Sequence, residues 1–267
     1  MKIGFLGAGN MGYAMLSGIA AASPEGVTGL LAYEPDTAKH ARLLDCGASV
    51  CSTAAQLCDA SDFLVLAVKP QMLKEALSDI TVRKDQVIIS ICAGISADFL
   101  RACTIPEARI ILVMPNTPLM LGEGATALAR CSGVTDEEFS LAKSLFSACG
   151  MAVEIPEDKM KEVIAVNSSS PAFLYLFAKG FVDYGKHVGI GEETSLQLFS
   201  QAMIGAAKMM TDSGQSIDEL IKMVSSPGGT TLAGLEELYQ IPDLVENCCI
   251  SCTNRAYELA GEKPPKY

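Results

Sequence analysis

Between residues 2 and 155 the chain repeats one pattern that few folds can accommodate. Short, almost continuously apolar runs recur at 2–6, 29–33, 62–68, 87–92, 109–113 and 151–155. A strand with one wet face would alternate apolar and polar residues. These runs do not alternate, so both faces must be buried. Helix-compatible stretches such as 11–22 and 36–46 lie between several of them. Strand–helix–strand repetition of this kind builds an α/β fold with a mostly parallel, doubly wound sheet.

From Pro156 onward the strand pattern stops. Residues 157–184 read as a long helix broken near 168–171, because a proline restricts its predecessor and donates no backbone N–H. Further helices are expected at 192–212, 216–224, 230–239 and 242–260. In the second of these five, Leu196, Phe199, Met203, Ala207 and Met210 fall at spacings of one helical face. The expected organisation is a sheet domain over 1–155 and an all-helical domain over 156–267. The apolar stripe packs either inside that helical half or against a second copy.

Composition narrows the function. Twenty basic and thirty-one acidic residues give a net charge of −11, which argues against nucleic acid or an anionic membrane surface as partner. The first twenty residues carry Gly4, Gly7, Gly9, Asn10 and Gly12 where a secretory leader needs an unbroken apolar core. Residues 163–182 include Asn167, three serines, Pro171 and Lys179, unlike a membrane span. A cytoplasmic protein is expected. Ten cysteines are scattered along the chain, and only Cys249 and Cys252 have metal or redox spacing, with no second pair. Reduced core cysteines and no metal site are the expectation.

Chemistry begins at the end of the first strand. Gly7-Ala8-Gly9-Asn10-Met11-Gly12 follows a predicted strand and opens a predicted helix, the context in which this glycine spacing binds a dinucleotide. Gly7 allows the tight turn, Gly9 lets backbone approach a pyrophosphate, and Gly12 lets the helix pack closely. Glu34, at the end of the second run, is placed to take the adenosine ribose hydroxyls. Its carboxylate favours NADH over NADPH. Lys39, His40 and Arg42, which follow it, read as a solvated helix face or as a counterweight to that preference. Three more turns at strand ends outline a crevice: Ala67-Val68-Lys69-Pro70, Ser90-Ile91-Cys92-Ala93-Gly94 and Met114-Pro115-Asn116-Thr117-Pro118. In the helical half, Ser226-Pro227-Gly228-Gly229-Thr230-Thr231 forces a loop between helices. The free N–H groups at the next helix start, with two hydroxyls, form a site for a small carboxylate, or else the threonine merely caps the helix.

The glycine motif, the Ala67–Pro70 turn, Ala93-Gly94-Ile95, Met114–Pro118 and Ser226–Thr231 occur in the order seen in pyrroline-5-carboxylate reductases, and the chain resembles that family over essentially its whole length. The resemblance implies a Rossmann domain followed by a helical domain that forms a homodimer, with dimers assembling further into rings. It implies NADPH or NADH as cofactor, and the residues expected to hold it are 7–12, Glu34, Ala67, Val68, Lys69, Pro70, Cys92 and Ala93. It implies a substrate carboxylate bound at Gly228, Gly229 and Thr230 with Asn116 nearby, and a catalytic Thr231 hydroxyl on the ring nitrogen. The chain departs from the family pattern at Asn167-Ser168-Ser169-Ser170-Pro171-Ala172, where serines replace two glycines. It departs also at Ala54, at Met223 and at Glu34-Pro35-Asp36. A cyclic imine is basic enough to take its proton from solvent, so no histidine relay is needed. Two other readings stand beside this one: a 3-hydroxyacid dehydrogenase using Lys179 as general acid, and a dinucleotide-binding protein without turnover.

Overall fold

In the computed structural model, which describes residues 1–266, the strands form one eight-stranded sheet. They are β1 (Lys2–Leu6), β2 (Gly29–Tyr33), β3 (Ser49–Val50), β4 (Phe63–Leu66), β5 (Val87–Ser90), β6 (Arg109–Met114), β7 (Gly124–Arg130) and β8 (Gly150–Glu154). Their order is β3-β2-β1-β4-β5-β6-β7-β8, antiparallel only between β6 and β7. The connection therefore reverses direction between β1 and β4, which opens a crevice at the carboxyl ends of those strands.

Burial on both faces explains the unbroken apolar runs of β1, β4, β5 and β6. Strand β2 is mostly half-buried, and the run at β8, also expected to be buried, leaves Met151 and Val153 exposed at the sheet edge. Within β4, Leu64 and Leu66 belong to one core, while Phe63 and Val65 belong to the other. Helices α1 (Asn10–Ala22) and α6 (Asp136–Ser147) cover the second face with Met15, Leu16, Ile19, Phe139 and Phe146. Helices α3 (Ala54–Ala60), α4 (Pro70–Ser78) and α5 (Ala97–Cys103) cover the first with Leu57, Leu73, Leu77 and Leu100. Ala54, at the start of α3, is a buried core residue.

Several elements differ from the sequence expectation. Residues 36–46 are not one helix. Asp36 caps a short 3-10 turn, Thr37–Lys39, before α2 (His40–Asp45) begins. Strands β3 and β7 were not expected. The long helix predicted over 157–184 is a 3-10 turn at Glu157–Lys159, a π-helical turn at Ile164–Ser168, and α7 (Ser170–His187). Ser169 N–H donates to the Ile164 carbonyl at 2.8 Å, the five-residue reach of a π turn. The remaining helices are α8 (Glu192–Asp212), α9 (Ile217–Val224), α10 (Thr230–Leu238) and α11 (Ile241–Leu259), close to expectation.

The chain packs as two compact units. One comprises 1–169 together with 250–266, and the other 170–249. The change of regime expected at 155/156 coincides with the end of β8 at Glu154, whereas the division in packing falls later and returns the chain end to the first unit. There the Tyr257 hydroxyl donates to Glu162 at 2.8 Å, and Lys161 pairs with Glu262 at 3.1 Å. In the helical unit, Phe177, Phe181 and Phe199 form an aromatic cluster, with Phe181 and Phe199 stacked 4.0 Å apart. Among its described residues only Pro171, Gly185 and Ser195 are buried. The α8 stripe does not finish a core within the unit: Leu196 and Met210 are each about half exposed.

Candidate active site

The glycine turn of β1–α1 has the shape its sequence anticipates. Gly7 sits at φ +91°, and a Cβ there would lie 2.9 Å from the Val68 side chain. A Cβ on Gly12 would lie 2.8 Å from the Gly7 carbonyl and 2.9 Å from the Ala67 Cβ. Gly9, by contrast, faces open space, with nothing within 4 Å of where a side chain would go. Backbone is packed tightly on two sides and left bare on the third. Helix α1 starts there with no side-chain cap and no acidic residue in its first turn. Asn10, Met11 and Gly12 are therefore in the first turn, where backbone N–H groups have no helical acceptor. A dinucleotide pyrophosphate fits this cradle.

Glu34 lies beside the turn, but its carboxylate is already engaged. One oxygen accepts the Ala8 N–H at 2.9 Å, and the other accepts the Asp36 N–H at 3.1 Å and Lys39 Nζ at 3.2 Å. Burial pushes this carboxyl up, but the two amides and Lys39 outweigh burial and hold it below its ordinary value. A depressed carboxyl stabilises the fold above its unfolded pKa and loses that contribution as pH falls through the folded one. Glu34 is thus charged at neutral pH, and its interactions fail only in acid. Lys39, His40 and Arg42 are not a solvated face. Lys39 pairs with Glu34 and Asp36, His40 Nε2 lies 2.7 Å from the Glu34 carbonyl oxygen, and Arg42 donates to the Ala8 carbonyl at 2.7 Å. His40 thereby meets the end of β2.

The other strand-end turns follow. Lys69 caps α4 and Pro70 opens it, a position where a missing N–H costs nothing. Cys92 Sγ lies 3.3 Å from the Val68 carbonyl oxygen, tying the β5 turn to the β4 turn, and burial pushes its thiol up to about 11. It is an uncharged thiol at neutral pH and no nucleophile. Ala93 beside it is exposed. A cavity of about 480 Å³ opens here, between Ser90, Cys92 and Gly94 of the β5 turn, Met114 of β6, and Glu157 and Lys161 beyond β8.

Asn116, expected to touch substrate, is buried and bonded into the scaffold. It is 6% exposed, accepts the Ala125 N–H at 2.9 Å and donates to the Asn167 carbonyl at 3.1 Å. Asn167 in turn donates to the Met114 carbonyl at 2.7 Å and the Ala125 carbonyl at 2.9 Å. The two asparagines interlock the end of β6, the start of β7 and the π turn. Sequence reasoning missed this pair, although Asn167 stands where the chain departs from the family pattern.

In the helical unit, α9 ends at Val224, Gly228 turns the chain at φ +71°, and α10 begins at Thr230. Gly229 must be small, since a Cβ there would meet the Ser226 hydroxyl at 2.5 Å. Helix α10 has no side-chain cap and no acid in its first turn, so the plain threonine cap is not what this loop builds. Thr230 and Thr231 are both exposed. Uncapped N–H groups and two free-standing hydroxyls suit a small anion with a polar neighbour. Met223, just before the loop, is exposed. Lys179 is not poised as an acid. It pairs with Asp183 one turn on, on an exposed face of α7.

Among the described residues no cluster of three histidine, cysteine or acidic side chains could hold a metal, and all ten cysteines are free. No helix of the described residues is long and apolar enough to cross a membrane.

Both halves of the chain match known families. Residues 157–259 match the family model for pyrroline-5-carboxylate reductase dimerisation, and residues 2–94 match that for coenzyme F420-dependent NADP oxidoreductases. The pyrroline-5-carboxylate reductase of Methanosarcina acetivorans is 35% identical over 98% of either chain. That of Escherichia coli is 34% identical over 89% of either. Among solved structures, Plasmodium falciparum pyrroline carboxylate reductase with NADP bound superposes with a TM-score of 0.90 at 30% identity, covering 97% of this chain and 98% of that one. Identity at this level, sustained from the glycine turn to the last helix, makes the chain a member of the pyrroline-5-carboxylate reductase family.

Proposed function

We propose that the protein reduces 1-pyrroline-5-carboxylate to L-proline with NADH or NADPH, the last step of proline synthesis. The observation that carries this reading is the uncapped α10 start. Its amides at Gly229 and Thr230, after the turn made by Gly228, hold the substrate carboxylate, and the Thr231 hydroxyl hydrogen-bonds the ring nitrogen. The dinucleotide lies on residues 7–12 and against the turns at Ala67–Pro70 and Cys92–Ala93. When bound, the reduced nicotinamide supplies the hydride. The chain's own residues do the rest: they fix the carboxylate, orient the ring and share the charge on its nitrogen, while solvent provides the proton. Holding the reactants in one geometry accounts for most of the rate. Mixing purified protein with racemic pyrroline-5-carboxylate and either cofactor, and following nicotinamide absorbance, tests the reading. Oxidation of a 3-hydroxyacid instead would support the dehydrogenase alternative. Tight cofactor binding without turnover on any of these would mean a dinucleotide-binding protein.

Between the cofactors, a charged carboxylate beside the ribose favours NADH, because it repels an extra phosphate. Glu34→Ser should shift the NADPH-to-NADH ratio of kcat/KM upward by roughly tenfold, about 1.4 kcal/mol. Both cofactors should bind less tightly in absolute terms, since Ala8 loses its acceptor. An unchanged ratio would mean that Glu34 serves the turn alone.

The family match and the half-exposed α8 stripe also support a homodimer built on the helical unit, with dimers assembling into rings. An obligate interface buries on the order of 2,000 Å² or more. Light scattering at low micromolar concentration should show at least a dimer. A stable monomer of about 28 kDa that turns over would sink the idea.

A further inference from the structure

One residue of the glycine turn is gripped from both sides by side chains that lie far from it in sequence. The Ala8 N–H is accepted by Glu34, and the Ala8 carbonyl accepts from Arg42, at 2.9 and 2.7 Å. The Arg42 guanidinium also lies 4.4 Å over the ring of Tyr13, inside α1. Arg42 reaches from α2 to both the turn and the helix that the turn opens. We propose that Arg42 is a positioning residue for the dinucleotide: with Glu34 it fixes the peptide planes on either side of Ala8 and so presets the open Gly9 backbone.

The physical case is one of preorganisation. A glycine-rich turn has many backbone conformations to lose when it orders around a ligand. Two charge-assisted bonds to a single alanine remove much of that freedom before the ligand arrives. Their signs also match the chemistry. The cation meets the partial negative charge of the carbonyl and the anion the partial positive charge of the N–H, and the backbone they hold serves the pyrophosphate common to both cofactors. Loss of the grip should therefore weaken NADH as well as NADPH. This separates it from direct phosphate recognition, which would act on NADPH alone.

The inference rests on the dinucleotide reading above, and the experiment separates the two. Direct fluorescence titration of the wild-type protein with NADH and with NADPH comes first; binding of neither would overturn the functional reading itself. In Arg42→Gln, Kd for both cofactors should rise by about tenfold, the loss of one charge-assisted bond. The loss should appear in cofactor KM far more than in kcat. Arg42→Lys, which keeps a donor and a cation, should recover part of it. In Glu34→Gln/Arg42→Gln the losses should be less than additive, because both side chains act through Ala8. A rise for NADPH alone would overturn the proposal and make Arg42 a phosphate reader. Unchanged Kd for both cofactors, with only a lowered Tm, would reduce it to a structural contact between α1 and α2. Should Arg42→Gln fail to fold, Arg42→Lys with the same two titrations decides the question.

Discussion

Thr231→Ala is expected to lower kcat/KM by roughly 10- to 150-fold, the worth of a hydrogen bond to a charged group at about 1.5–3 kcal/mol. Thr231 lies in the first turn of α10, is exposed, and its hydroxyl does not cap the helix. Removing it should therefore cost substrate contact without costing helix stability. Thr231→Ser keeps a hydroxyl and should restore most of the activity. Thr230→Ala should be far milder, because the amide proposed to hold the carboxylate survives. Cofactor affinity should be nearly unchanged in all three variants. Steady-state kinetics with a cofactor titration checks the ranking. Equal losses at Thr230 and Thr231, or a collapse of cofactor binding, would remove the threonine hydroxyl from the mechanism.

The largest effect on stability should come from a position with no side chain at all. Gly150 opens β8 at φ +138°, and a Cβ there would lie 2.2 Å from the carbonyl oxygen and 2.4 Å from the nitrogen of Gly124, its partner on β7. Both contacts are backbone on a paired strand, so neither can swing aside. Gly150→Ala should destabilise the first unit by about 3 kcal/mol or more, from backbone strain plus overpacking. Urea denaturation followed by circular dichroism measures it, with Gly133→Ala as reference. Gly133 also has positive φ, but its nearest neighbour would be an Arg109 methylene at 3.7 Å. Equal losses in the two variants would mean that the clash at β8 relaxes, leaving only the cost of positive φ.

That strand pair also marks where sequence reading reached its limit. The strands β1, β4, β5 and β6 announce themselves by branched and aromatic residues buried on both faces, and β2 by an apolar run that is mostly half-buried. Strand β7 reads Gly-Ala-Thr-Ala-Leu-Ala-Arg, a composition better suited to a helix, and is a strand because β6 and β8 hold its backbone. Strand β3 has only two residues, too short for any periodicity. Pro171 signalled a break in the helical half, but nothing in the sequence says that Asn167 sits in a π turn and reaches back to Met114. The glycine cradle was legible because each glycine has a distinct steric reason to be there. Glu34 was placed at the right strand end, but its bonds to the turn and to Lys39 were not legible in the sequence. Its partners come from the turn and from α2, and the direction in which α2 presents Arg42 depends on the 3-10 turn before it. In the helical unit the reverse holds: regular periodicity made the helices plain, and their exposed faces showed that a single chain does not complete the packing.

The return of residues 250–266 to the first unit has a consequence for how the protein is made. A nascent chain emerges from its N-terminus, so the sheet can begin to close while the helices are still being synthesised. It cannot finish. Ala256, whose carbonyl would lie 3.3 Å from a Cβ at Gly94, and Tyr257, bonded to Glu162, arrive last. The helical segment thus forms a long loop whose closure completes the unit on either side of it, a non-local step that slows folding. During that interval the apolar faces of α7 and α8 are on display without a partner. A protein shortened by its last twenty residues would lose the completed sheet unit while keeping every residue of the Ser226–Thr231 loop.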